Sequence, residues 1–174
     1  EPLIFRPAHP AKIPEDRALE LSLEGAGLRY PGNDEPALRD INLTLRPGQL
    51  VALVGENGSG KTSLVKLVTR LYDPTAGRIT LAGKDIREFD PEEYRSLFSV
   101  IFQDYAKYAA SVRDNIRFGD IEARPEDGRV ERAGRLAEAE DFVLALKEGY
   151  ETPLSRMFDD GQEISIGQWQ RLAL

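Results

Sequence analysis

The stretch GENGSGKT, Gly55 to Thr62, fits the pattern G-x-x-x-x-G-K-[ST] and lies between an apolar run and a helical one. Glycine adopts backbone angles that other residues resist, so Gly55, Gly58 and Gly60 let successive N–H groups curl toward one anion. The helix expected from about Lys61 adds its positive dipole end and its unpaired first amides. Lys61 has the reach to meet the β and γ phosphates of a nucleotide, and the Thr62 hydroxyl suits a Mg²⁺ ion. The phosphate cradle is therefore read as Gly55, Glu56, Asn57, Gly58, Ser59, Gly60, Lys61, Thr62 and Ser63. The bland alternative is a glycine-rich turn that matches by chance, and the strand-then-helix context counts against it.

The elements around the cradle follow from periodicity. ALELSLEGAGLRY and ALRDINLTLRPG alternate with period 2 (Leu19, Leu21, Leu23; Ile41, Leu43, Leu45), which predicts two strands with one buried face each. Pro47 and Gly48 then sit as a type II turn requires. QLVALVG is apolar almost throughout, and LFSVIFQ nearly so; both are predicted as buried strands, the first covered on both faces as in a parallel sheet. Helical spacing takes over at KTSLVKLVTRLY, with Leu64, Leu67, Val68 and Leu71 on one side, and RITLAG is a short strand. Asp90-Pro91-Glu92-Glu93 opens a helix with a cap, an N1 proline and a capping-box glutamate. Ser111 caps a mostly helical stretch that runs to about Leu146. Near the end, Ser165 as N-cap and Gln168 at N3 form a second capping box.

The bulk numbers bound the class. A chain of 174 residues with 41% hydrophobic and 30% charged residues is an ordinary globular one. No apolar run approaches the roughly 20 residues that span a bilayer. The absence of cysteine fits a reducing compartment. A net charge of −7 argues against nucleic acid as a partner. Residues 1–18 carry Pro2, Pro7, Pro10 and Pro14 and read as an extended linker arriving from an upstream domain. The first residue is Glu, so the chain reads as an internal piece of something longer.

Four further features stand at matching positions. They are Tyr30 in LRYPG; Gln103 ending SVIFQ, with SVRDNIRFG after it; ISIGQ (Ile164 to Gln168) followed by WQRLAL; and LYDPTAGRITLAGKDIREFD after the cradle helix. With the cradle, they make the chain similar, over Leu19 to Leu174, to the nucleotide-binding domain of ATP-binding cassette (ABC) proteins, most closely the exporter-type transporters. The resemblance implies an α/β fold: a P-loop NTPase (RecA-like) core with an N-terminal antiparallel β-subdomain and an α-helical subdomain. Its expected divisions are a linker at 1–18, the β-subdomain and P-loop core at 19–88, and the Q-loop and helical subdomain at 89–174. It implies ATP and Mg²⁺ as ligands. By the same resemblance Tyr30 is expected to stack on adenine, Lys61 and Gln103 to serve catalysis, and Thr62 and Gln103 to serve the metal. The resemblance also implies that Ser165, Gly167 and Gln168 form the signature expected to grip the γ-phosphate of ATP held by a second nucleotide-binding domain, arranged head to tail. The remaining partner it implies is a transmembrane domain, with the chain expected at the cytoplasmic face of a membrane.

There are departures from that pattern. Ile166 replaces the first signature glycine, and its β-branched side chain crowds a backbone approach that glycine leaves open. ETPLSRMFDDGQ stands where exporters carry TEVGERG. No four-residue apolar run ends in Asp-Glu, and the only histidine is His9, in the linker. The piece therefore reads as the first two-thirds of the domain, lacking the last strands of the core sheet. It is expected to bind ATP without hydrolysing it and to leave an apolar sheet edge open. Two alternatives are a soluble ABC-type ATPase of DNA repair or translation, for which a coiled-coil insertion or basic stretches would be expected, and a non-catalytic nucleotide-binding module.

Overall fold

The alternating leucines predicted as strands are strands in the computed structural model, which describes residues 4–14, 19–102, 106–121, 127–157 and 160–174. The chain forms two compact units, residues 1–98 and 99–174.

In the first unit, β1 (Leu21–Leu28), β2 (Leu38–Leu45), β3 (Ala76–Leu81) and β4 (Lys84–Asp85) make one antiparallel sheet in the order β2-β1-β3-β4. Leu23 faces Leu43 on one side and Ile79 on the other. Register shifts after Leu23 and after Ala26 break the strict alternation of β1, so Leu21, Leu23, Ala26 and Leu28 are all buried. The β3 strand facing this irregularity needs glycine: Gly77 has a positive φ of 64°, and a Cβ there would overlap the Gly25 carbonyl oxygen. The turn at Pro47-Gly48 forms as predicted, with Gly48 at φ 73° and the Gln49 N–H donating to the Arg46 carbonyl at 3.2 Å.

Helix α1 (Lys61–Val68) lays Leu64 and Leu67 into the core beside Leu28, Leu38 and Ile79. It ends sooner than the sequence spacing suggests. Thr69 caps it, Arg70 turns left-handed at φ 53°, and Leu71 beyond it is partly exposed. Helix α2 (Pro91–Arg95) starts on Asp90, whose Oδ1 accepts the Glu92 and Glu93 amides at 2.9 and 3.1 Å. Those two amides hold the Asp90 carboxyl below the usual carboxylate range, the Glu93 amide first. Tyr94 is buried, donates its hydroxyl to the Val68 carbonyl at 2.8 Å and so fixes α2 to the end of α1.

Two strand expectations need correction. Residues 49–56 run without strand pairing among the described residues, and Leu50 and Val54 are 100% and 94% exposed rather than buried on both faces. Leu97, Val100 and Ile101 of the second expected strand are also exposed, and the sheet that does form is antiparallel throughout. An apolar run shows that a segment suits a buried strand; its neighbours decide whether the ladder forms.

The second unit is helical: α3 (Val112–Arg117), α4 (Arg129–Leu136), α5 (Glu140–Leu144) and α6 (Ile166–Leu172). Ser111 caps α3 as predicted, accepting the Asp114 amide at 3.0 Å. Its core gathers Val112, Val130, Ala139, Val143, Tyr150, Leu154, Trp169 and Leu172. Arg113 is the main polar tie: Nη2 donates to Glu131 at 2.8 Å, Nε donates to Glu151 at 2.6 Å, and the guanidinium lies 5.7 Å from the Tyr150 ring centre. A backbone bridge between Ser111 and Pro153 closes this arrangement, with Leu154 N–H donating to Ala110 at 2.9 Å.

Candidate phosphate-binding site

The cradle is set by two glycines that no other residue replaces easily. Gly58 (φ 82°) and Gly60 (φ 89°) are both left-handed, and Gly60 is the N-cap of α1. A Cβ at Gly60 would lie 2.9 Å from Leu38 Cδ2 and 3.1 Å from the Ala37 carbonyl, so β2 packs against the loop where only hydrogen fits. Gly58 has nothing within 4 Å and needs glycine for its backbone angle alone. The loop also bonds to itself, with Ser59 N–H donating to the Glu56 carbonyl at 3.2 Å.

Lys61 lies back over this loop. Its Nζ donates to the Gly55 and Glu56 carbonyls, both at 2.7 Å, and to Ser59 Oγ at 3.4 Å. An ammonium has three protons, and here all three are directed into the loop. The positive charge is thereby held at the start of α1, where the first helical amides lack partners. Thr62 next to it is exposed, and Asn57 and Gly58 form the exposed turn of the loop.

Tyr30 meets this loop through α1: its hydroxyl donates to Ser63 Oγ at 3.0 Å. Two residues that sequence reasoning did not single out complete the surroundings. Tyr72 sets its ring edge-on to Tyr30, centroids 5.0 Å apart at 85°, and Lys66 Nζ stands 6.0 Å from the Tyr30 ring centre. Tyr72 lies in LYDP, a run whose only evident signal was structural; Lys66 is one helical turn from Ser63 and was legible only as a polar helix position.

In the second unit, Ser165 and Gln168 form the expected capping box. Ser165 Oγ accepts the Gln168 amide at 3.2 Å, and Gln168 Oε1 accepts the Ser165 amide at 2.8 Å. Both side chains are thus held at the start of α6. A Cβ at Gly167 would meet nothing within 4 Å, and Ile166 is 68% exposed. Trp169 anchors the helix in the core, with Lys107 Nζ 5.9 Å from its ring centre. Gln103 lies outside the described residues. Among the described residues, no group of three His, Asp or Glu side chains is placed to hold a metal.

The sequence profile of the ABC transporter family matches residues 38–174. The chain is 41% identical over 155 residues to a multidrug efflux ATP-binding/permease protein of Mycobacterium bovis, covering 89% of this chain and 13% of that one. It is likewise 41% identical over 155 residues to an ATP-dependent lipid A-core flippase of Thiobacillus denitrificans, covering 88% and 26%. A solved bacterial Atm1-family ABC exporter with ATP bound superposes with a TM-score of 0.82 at 27% identity, over 98% of this chain and 28% of that one. The fold is accordingly the α/β fold of an exporter nucleotide-binding domain, and the chain spans under a third of the length of each of these three relatives.

Proposed function

Because this chain belongs to the ABC transporter family, we propose that it binds Mg-ATP as part of the motor of an exporter. The observation that carries the reading is the Gly60-Lys61 corner. A left-handed N-cap with no room for a side chain hands the start of α1 to a ligand, and a lysine is folded onto it. In this reading Lys61 redirects its hydrogen bonds from the loop carbonyls to the terminal phosphates, and the amides from Gly58 to Thr62 cradle the remaining phosphate oxygens. Mg²⁺ supplies neutralisation of phosphate charge, with the Thr62 hydroxyl and Gln103 as the residues that would hold it. Tyr30 offers a ring face to adenine, fixed by its Ser63 bond and by Tyr72.

The remaining roles belong to the assembled transporter. Ser165, Gly167 and Gln168 would face the γ-phosphate of a second nucleotide-binding domain, and a transmembrane domain would receive the motion at a membrane's cytoplasmic face. Within these 174 residues no apolar run ends in Asp-Glu and His9 is the only histidine, so this chain by itself binds nucleotide without turning it over.

Nucleotide titration of Tyr30→Phe and Tyr30→Ala tests the assignment. The phenylalanine keeps the face and loses only the Ser63 bond. The alanine loses a stack of about 1–3 kcal/mol, roughly 5- to 150-fold in Kd. Equal affinity of Tyr30→Ala and wild type would remove Tyr30 from the site. Phosphate release at a rate abolished by Lys61→Ala would refute the absence of turnover.

A further inference from the structure

The phosphate chemistry makes no use of Arg70, yet its side chain is 0% exposed and it follows directly on the cap of α1. Its Nε donates to Asp73 Oδ1 at 2.9 Å, its Nη1 to the Phe89 carbonyl at 2.8 Å and its Nη2 to the Phe5 carbonyl at 2.7 Å. Asp73 closes the ring, since its Oδ2 accepts the Phe5 N–H at 2.6 Å. The pair thus offers one donor and one acceptor to the two backbone groups of a single residue, as a neighbouring strand does. The Phe5 side chain takes no part in these bonds and is 55% exposed. Further along, the Ala11 N–H donates to the Glu88 carbonyl at 2.8 Å, and Ala11 bridges in parallel to Phe89, the residue whose carbonyl Arg70 holds.

The Arg70 backbone is equally committed. It is left-handed at φ 53°, and its carbonyl accepts from Arg95 Nε and Nη2 at 3.1 and 2.8 Å. A buried guanidinium in that conformation is costly unless its donors are met, and here the N-terminal segment meets one of them. Removing the segment takes away the partner of one of these donors, one residue beyond the cap of the P-loop helix.

We propose that Arg70 and Asp73 form a clamp that reads the backbone of residue 5 and couples the segment 4–11 to the end of α1. Arg70 is then a positioning residue for Lys61 at the other end of the same helix. The use of this coupling rests on the exporter reading, because an upstream domain would pull on the chain through this segment. The clamp itself does not depend on that reading.

Hydrogen exchange on the full 174-residue chain without nucleotide tests the clamp directly. Phe5→Pro deletes the N–H that Asp73 accepts, whereas Phe5→Ala keeps it. The proline variant is expected to speed exchange at the Ala11, Thr69 and Leu71 amides by about tenfold or more, with the alanine variant matching wild type. Unchanged exchange in the proline variant overturns the clamp. Equal acceleration in the alanine variant also overturns it, because the side chain would then be what docks. A second readout separates the two proposals. Where wild type binds Mg-ATP, Phe5→Pro is expected to weaken binding severalfold and Phe5→Ala to leave it unchanged. An unchanged Kd in the proline variant overturns the link to Lys61. Failure of wild type to bind ATP refutes the nucleotide reading, while the exchange result still decides the clamp.

Discussion

Replacing Gly60 and Gly58 one at a time by alanine separates two reasons for a glycine in the cradle. Both residues are left-handed, at φ 89° and 82°, so each alanine variant bears a backbone penalty of about 1–2 kcal/mol. Only Gly60 is also crowded, with its Cβ placed 2.9 Å from a Leu38 methyl and 3.1 Å from the Ala37 carbonyl. The methyl can swing aside, but the carbonyl belongs to the backbone entering β2, so overpacking adds about 1–3 kcal/mol. At roughly 4–8 °C per kcal/mol for a unit of this size, Gly60→Ala should melt about 4–24 °C below Gly58→Ala. Calorimetric melting of the two variants beside wild type measures the difference. Equal melting temperatures, or a lower one for Gly58→Ala, would refute the claim that β2 shapes the cradle by close approach.

Leu50→Lys should leave stability within about 0.5 kcal/mol and shift any self-association toward monomer in size-exclusion chromatography, because Leu50 is 100% exposed. Arg113→Ala should lower the stability of the second unit by about 1 kcal/mol in denaturant melts, since it breaks both bonds that tie α3 to Glu131 and Glu151. Asp90 has a native pKa below its unfolded one, so its contribution is complete above about pH 4 and is lost as pH falls further. Asp90→Asn keeps a cap without that titration, and its acid-melting curve should be shallower than wild type below about pH 4. Gly167→Ala places a side chain in open space on α6 and should raise helix stability by up to about 1 kcal/mol in thermal melts.

The sequence was most legible where chemistry is local. The glycine spacing of the cradle, the turn at Pro47-Gly48, and the caps at Asp90, Ser111 and Ser165 each depend on a few neighbouring residues, and each forms as its side chains require. Period-2 leucines likewise located β1 and β2. Long-range pairing was not legible. LVALV is as apolar as any buried strand, yet Leu50 and Val54 stand in solvent because a strand needs a neighbour that composition does not name. The prolines near the start excluded a helix and gave no sign that Phe5 is held through its backbone by Arg70 and Asp73, which lie 65 and 68 residues away. Nor did the helical spacing through Leu71 disclose the left-handed turn at Arg70 that ends α1. A backbone-reading contact leaves no trace in the side chain that is read.

The central claim is that the Gly60-Lys61 corner binds the phosphates of a nucleotide. Calorimetric titration of Mg-ATP into this chain, with Lys61→Ala as the control, tests it most directly. The account predicts a single saturable binding event that the mutation abolishes. Binding of equal strength in both proteins would place the nucleotide elsewhere, and binding by neither would show that this cradle does not hold ATP.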